Sequence, residues 1–485
     1  MRRTARPGPR LGVVHTRARA GWVVALCVAF ASATGACASV LGIESGILED
    51  AGPDATTDAR ADASVDASPG KEAGPSMDSA FPDVNPFTDA CVATTIAANA
   101  VYVSPSPSGQ DGSNCGSTQT PCATITHALL SGATTIYLAA GTYNESITLP
   151  ANVTVVGGFT SHGQKTWTHD CQSVSVIQGT SNVAVSVTAA GAASTLRTLI
   201  VQSASAVDAG ESMFGIMATG AGTNLVLDGV EVETAPGGAG AAGAMGTMGG
   251  SGGSGCGADS GAPGTAVGGP GSPGGGVFTS AGYQCMPGTK GANGGVGNNG
   301  APSTPPFSCV GCFGCSATLC TGPTSSCGTA GSSGCGGLGG GGGTPGGCGG
   351  SSVALFAWDA TVSIKGRLNA RGGGNGGIGG PGGAGGGGGM GSSGVDTQPC
   401  QTGCGALCAT TSTGHGTGGG PGGMGGTGAP GGVGGGGPGG SSYAVYQGGA
   451  AQVATNVDAG TVLLAGSAGS GTGGAPNGAS KFIGP

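Results

Sequence analysis

The chain carries very little charge and few rings. Of 485 residues, 8% are Asp, Glu, Lys or Arg and 4% are Phe, Trp or Tyr. Few ionisable groups leave little material for acid–base chemistry. Beyond the amino terminus no run of 18 apolar residues occurs, which excludes a membrane-spanning helix. There is no GxxxxGK[ST] phosphate loop, and GxGxxG means nothing in a chain with 114 glycines. No Asp-Asp pair and no Asn-Thr-Asp occurs.

What abounds is glycine, and it is in phase. It falls at every third position from Gly237 to Gly255, Gly288 to Gly300, Gly328 to Gly349, Gly373 to Gly394 and Gly416 to Gly440. Three residues per turn is the period of the polyproline II helix, so every third residue shares one edge. A bare edge lets backbones approach closely. The pattern predicts packed extended helices; unstructured low-complexity sequence is the alternative. Collagen is a poor match, because its runs are uninterrupted and rich in proline.

The amino terminus reads as an address. Arg2, Arg3, Arg6, Arg10, Arg17 and Arg19 precede the apolar run Trp22–Phe30, and Thr34-Gly35-Ala36 lead to Cys37. That order predicts a secretory signal over 1–36. Thr34-Gly35-Ala36-Cys37 resembles the bacterial lipobox, with Thr in place of the usual Leu. The resemblance implies cleavage before Cys37, lipidation of its thiol, and membrane anchoring at the outer membrane or cell surface. Ordinary secretion with cleavage nearby is the alternative. Six of the 15 basic residues lie in the signal, leaving nine against 23 acidic ones, a balance that argues against nucleic acid as a partner.

Residues 37–90 read as a lipidated cysteine and disordered acidic tether. Asp54, Asp58, Asp62 and Asp66 recur every fourth residue, where like charges would repel on a helix. Ser39-Val40-Leu41-Gly42-Ile43-Glu44 and the Asp-Ala spacing resemble lipoproteins common in myxobacteria.

Sixteen cysteines remain after Cys27 and Cys37: Cys91, Cys115, Cys122, Cys171, Cys256, Cys285, Cys309, Cys312, Cys315, Cys320, Cys327, Cys335, Cys348, Cys400, Cys404 and Cys408. In an exported chain they read as disulfides of unspecified pairing. Cys309, Cys312 and Cys315 have metal-like spacing, but no second Cys pair or His stands at finger distance. His127, His162, His169 and His415 form no spaced ligand set, so no metal or cofactor is expected.

Residues 101–157 carry an ordered set of pieces: Tyr102-Val103-Ser104-Pro105, Asp111-Gly112-Ser113, Pro121 through Leu129, then Thr135 through Tyr143. These resemble the first coil of right-handed parallel β-helix proteins of the pectate-lyase-like superfamily. The resemblance implies a short cap helix at Ile125–Leu130. Short branched-apolar pieces continue at Val153–Val156, Val174–Ile177, Val183–Val187, Leu196–Val201 and Leu225–Val232. More follow glycine runs at Ser352–Ala357, Ala360–Leu368, Tyr443–Tyr446 and Thr461–Leu464.

The expected fold is therefore all-β, a right-handed parallel β-helix with disulfide-stapled, polyglycine II-like insertions. Cap and first rungs occupy 91–235, a glycine- and cysteine-rich insertion 236–350, a rung 351–371, a second insertion 372–441 and terminal rungs 442–485. The alternative is two bodies, a β-helix followed by a separate glycine bundle. The triplets resemble those of the glycine-rich antifreeze protein of snow fleas and of phage tail-tip adhesins, where extended helices pack through glycine edges.

For function, the sequence favours a structural or adhesive, non-catalytic surface protein that binds polysaccharide or a cell surface. A polysaccharide lyase or hydrolase on the same scaffold is the second reading. Its acid to inspect is Asp228, and it predicts Arg or Lys nearby. Of the polygalacturonase signatures, Gly414-His415-Gly416 lies where glycine is everywhere and is near chance, and Ser363-Ile364-Lys365 lacks the Arg. Ice binding is the third reading, implied by the snow-flea resemblance alone.

Overall fold

The computed structural model describes residues 96–485 apart from 163–165, 171, 206, 258–261, 304–308, 317–318, 328, 397–419 and 456–459. For 162, 309–316 and 319–327 it describes the backbone only. The expected signal and tether, Cys37, Cys91, Cys171, Cys400, Cys404, Cys408 and His415 lie outside the described residues.

Strands stack rung upon rung in two large sheets. The first runs Val101–Val103, Thr135–Ala139, Thr154–His162, Ser194–Gln202, Asn224–Glu233, Thr361–Ala370 and Gln452–Thr455. Val462–Ala465 lies beside the later half of Thr361–Ala370. The second runs Ile147–Thr148, Val183–Val187, Met213–Thr219, Ser352–Trp358, Ser442–Gly448 and Ser480–Gly484. Neighbours within each of these series pair in parallel, and the chain alternates between sheets, one coil per circuit. The fold is a right-handed parallel β-helix, the hand that parallel crossovers adopt.

Alternation decides which side chains enter the core. In Asn224–Glu233 the residues Leu225, Leu227, Val230 and Val232 are buried. Gly229, at φ 62°, sits in a bulge that absorbs one residue, so Asp228 and Glu231 both stay on the outer face. Inward residues stack in register from rung to rung. Ile136, Val155, Leu196, Leu227 and Ile364 form one such column, all fully or almost fully buried. Burying each side chain contributes about 1.5–3 kcal/mol.

The helix Ile125–Leu130 closes the first coil, with Ile125 and Ala128 in the core. Its free N-terminal N–H groups are satisfied by two acids. Asp111 accepts from the N–H groups of Ala123 and Thr124 and from the Thr124 hydroxyl. Glu145 accepts from the N–H groups of Ile125 and Thr126 and from the Thr126 hydroxyl. The Cys115–Cys122 disulfide closes the loop beside them.

Both glycine insertions leave from the end of a first-sheet strand and return at the start of a second-sheet strand. They therefore emerge from one corner of successive coils, one above the other, and must pack together. Pairing of Met213–Thr219 with Ser352–Trp358 runs straight past the first insertion, so the chain is one β-helix with extrusions and not two successive bodies. A serine ladder stitches the corner. The Ser212 hydroxyl accepts the Ser351 N–H, Ser351 accepts Ser441 N–H, and Ser441 accepts Ala479 N–H, at 2.9, 3.1 and 3.0 Å.

The glycine runs form six extended segments, bonded mainly at three-residue intervals: 237–253, 262–274, 288–301, 331–350, 373–391 and 420–440. Gly240, Gly243, Gly246, Gly249 and Gly252 donate to Asn375, Ile378, Pro381, Ala384 and Gly387 at 2.7–2.9 Å. The pattern of partners gives two layers of three. Segments 237–253, 331–350 and 288–301 make one layer; 373–391, 420–440 and 262–274 make the other. Segment 331–350 touches four neighbours and segment 237–253 two. Glycine content follows: 331–350, 373–391 and 420–440 carry doubled glycines, because two of their three edges meet backbone. A Cβ on Gly340 would stand 1.9 Å from the Gly383 carbonyl, and one on Gly339 would stand 1.9 Å from that of Gly294.

Among the described residues two disulfides pin this bundle, Cys256–Cys335 and Cys285–Cys348. The second anchors the hairpin Gly275–Thr279/Gly282–Met286 over the outer face of the second sheet. There Phe278 stacks on Tyr446 at 4.2 Å, beside Phe356 and Tyr443. Bundle and β-helix thus share an aromatic seam.

Candidate functional site

Asp228 lies mid-strand on the outer face of the first sheet, in register with Arg197 on one rung and Lys365 on the next. The Arg197 Nε donates to Asp228 Oδ2 at 2.7 Å, and Lys365 Nζ stands 3.9 Å from Oδ1. One residue row along, Arg367 faces Glu231 at 3.6 Å. Burial raises the Glu231 carboxyl above its ordinary range; Arg367 opposes this and Glu233 adds to it. Farther along, Gln178, Gln202 and Glu233 follow one another across rungs, and Arg371 pairs with Glu233. The face is a ribbon of alternating charge and amide running across the coils.

The ribbon ends in a cleft of about 280 Å³. Gln178, Gln202, Glu233 and Arg371 line it together with Ser203 to Ser205 and Thr234 to Pro236. Pro236 opens the first glycine segment, so the cleft lies at the foot of the bundle. Its polar groups largely satisfy one another: Gln202 donates to Glu233 at 3.3 Å, and Gln178 to the Ser203 carbonyl.

The bundle supplies the second surface. Glycine edges turn inward, and the third residue of each triplet turns out. One layer exposes Met245, Met248, Val296 and Leu338; the other exposes Val267, Ile378, Met390, Met424 and Val433. Met248 is 75% exposed and Met390 74%, on a backbone held by hydrogen bonds. Flexible, polarisable methionine on a rigid frame suits contact with a partner.

Of the other sequence candidates, Cys115, Cys122, Cys256, Cys285, Cys335 and Cys348 form three disulfides among the described residues. Cys309 lies opposite Cys327 and Cys315 opposite Cys320 in the hairpin Cys309–Ser316/Leu319–Cys327. Cys312 lies opposite Thr324. His127 stands beside Cys115 and Cys122, but their sulfurs are joined to each other, so this is no ligand set. Trp167 is buried among Tyr102 and Phe159. His169 packs edge-on against Phe159, where burial lowers its pKa. Arg197, Glu231 and Arg367 escaped the sequence reading. Their shared signal is that each sits directly beside an inward Leu or Val on a strand (Leu196, Val230 and Val232, Leu368), which needs rung alignment to be seen.

A family model described as a protein of unknown function (DUF1565) matches residues 107–216. That family is associated with the right-handed β-helix fold, and the match covers the cap and first coils. No curated protein and no solved structure matches the chain.

Proposed function

We propose that the protein is a lipid-anchored surface protein of myxobacterial type with a structural or adhesive role. It is exported, held by lipid at Cys37, and carries its folded head on the acidic tether 37–90. The head binds polysaccharide or a cell-surface ligand without turning it over. The observation behind this is the bundle: a hydrogen-bonded, disulfide-pinned frame that displays apolar side chains where a globular protein would bury them. The charged ribbon adds a long, flat face suited to a polymer.

One observation favours the second reading, a carbohydrate-active enzyme. Arg197 and Lys365 flank Asp228, as a lyase or hydrolase on this scaffold would require. Against it stands the engagement of Asp228 by Arg197, which ties up the carboxylate. Ice binding calls for one flat face of small residues, whereas both layers here display Met, Leu, Ile or Val; thermal hysteresis tests it.

The deciding experiment passes the oxidised protein over a polysaccharide panel and scores retention and soluble product together. Retention without product supports the adhesive reading. Product that Asp228→Ala abolishes replaces it with the enzymatic one.

A further inference from the structure

One cluster of metal-ligating side chains among the described residues lies away from both the ribbon and the bundle, in the amino-terminal cap. Cys115, Cys122 and His127 each bring a ligand atom, and the three atoms lie within 4.8 Å of one another. While Cys115 is joined to Cys122 they are no ligand set. Opening that bond places two thiolates beside an imidazole, a donor set that selects soft ions over hard ones.

The imidazole is already set as a ligand. His127 Nε2 stands 3.2 Å from the Gly112 carbonyl oxygen, which can only accept, so Nε2 carries the proton and Nδ1 keeps its lone pair. Metal-binding histidines are oriented in this way, by a carbonyl on the nitrogen that does not ligate. The His127 backbone is held too, its N–H donating to the Thr124 hydroxyl at 3.1 Å.

The two cysteines do not depend on their own bond for position. Tyr102 N–H donates to Gly116 O, Cys122 N–H to Tyr102 O and Ser104 N–H to Cys122 O, each at 2.9 Å. Gly116 N–H donates to Thr120 O at 2.8 Å. Backbone bonds thus fix both ends of the loop and keep the two cysteine Cα atoms, 4.8 Å apart, within reach of one ion. A hollow of about 460 Å³ opens onto Cys115. Cys122 is buried, so a reductant meets the bond from the Cys115 side.

We propose that Cys115, Cys122 and His127 form a reductant-gated site for a thiophilic ion of the Zn²⁺ class, shut by the disulfide and opened by a dithiol. A thiolate of the dithiol attacks Cys115 Sγ and expels the Cys122 thiolate. The second thiol then closes the reductant's own disulfide and releases Cys115. Two electrons and two protons pass from the dithiol to the protein. Zn²⁺ displaces both protons to solvent and takes His127 as its third ligand, which leaves a fourth position to water. Closed bond and bound ion are alternative clasps on the same loop.

The test uses the full chain with Cys37→Ser, so that no lipid is attached, and Co²⁺ as a spectroscopic probe that Zn²⁺ displaces. Other cysteines also bind ions once reduced, so each reading is a difference between the parent and a Cys115→Ser/Cys122→Ser double variant. After reduction by dithiothreitol, and its removal without oxygen, that difference is expected to be one Co²⁺ per chain with thiolate-to-cobalt absorption, lost on adding Zn²⁺. Before reduction the difference is expected to vanish. His127→Gln should weaken the site by about tenfold or more. Its oxidised form should melt at the parent's temperature, because the ring lies outside the core. Equal binding by the reduced parent and the double variant, equal binding before and after reduction, or a site indifferent to His127→Gln would each overturn the proposal.

Discussion

The β-helix and the glycine bundle answer the same demand, satisfying backbone polar groups away from water, with opposite chemistry. The β-helix uses side chains: columns such as Ile136, Val155, Leu196, Leu227 and Ile364 exclude water and the strand ladders follow. The bundle dispenses with side chains on its packed edges, so that one backbone can hydrogen-bond to the next. Glycine loses the most conformational entropy on ordering, and little hydrophobic burial opposes that loss. Hydrogen bonds, disulfides such as Cys256–Cys335 and Cys285–Cys348, and attachment to the β-helix corner must do so. The bundle should therefore be the conditional half of the molecule and the β-helix the autonomous half.

Reduction separates them most strongly. Losing Cys256–Cys335 and Cys285–Cys348 should cost the bundle about 2–4 kcal/mol per bridge. Denaturant unfolding of the reduced protein should then split into an early bundle transition and a late β-helix one. A single transition, unchanged by reductant, would show that the two halves are not separable in this way.

Next in size is a pair of glycine substitutions. Gly340→Ala drives a methyl into the Gly383 carbonyl and should destabilise the bundle by about 3 kcal/mol. Gly269→Ala meets nothing within 4 Å and should cost almost nothing. Equal effects in thermal melts would mean that close backbone approach is not what selects glycine.

The seam between the halves comes third. Phe278→Ala removes the ring stacked on Tyr446 and should cost about 2 kcal/mol, less than a fully buried Phe. The loss should appear as faster proteolysis of the hairpin Gly275–Met286, with the β-helix intact.

Smallest, and confined to the β-helix, is a pH effect at the cap. Burial raises the Asp111 pKa, but hydrogen bonds from the Thr124 hydroxyl, the Thr124 and Ala123 N–H groups, and nearby His127 outweigh it, so the net value lies below 3.8. Its contribution is thus complete above the ordinary carboxylate pKa and is lost as pH falls through the depressed folded value. Asp111→Asn should flatten that acid-side loss in melting temperature and leave the bundle unaffected.

Much of the fold was legible because it repeats. The cap helix stands at Ile125–Leu130, and strands lie at Ser175–Gln178, Val183–Val187, Ser194–Gln202, Asn224–Glu233, Ser352–Trp358 and Thr361–Ala370, where branched apolar pieces stood. Met213–Thr219 was missed; Met, Phe, Gly and Ala hide its β character. Doubled glycines in nearly every triplet, easily taken for noise in the three-residue period, mark the segments with two packed edges; the isolated pairs Gly252-Gly253 and Gly268-Gly269 do not, and Gly253 and Gly269 meet open space. The serine ladder was also written in the chain, as Ser351-Ser352 and Ser441-Ser442 at each return to the β-helix. The charged ribbon was not legible beyond Asp228. Its partner Lys365 lies across the whole first insertion, and only the rung register brings the two together.

Amide-resolved hydrogen exchange tests the central claim, that glycine runs form an ordered two-layer bundle, most directly. Segment 237–253 should show protection mainly at one residue in three, at Gly240, Gly243, Gly246, Gly249 and Gly252, with Met245 and Met248 exchanging freely. The interior segment 420–440 should be protected at two in three, because one column donates to 373–391 and another to 288–301. Uniformly fast exchange across both segments, with protection confined to the β-helix strands, would contradict the account.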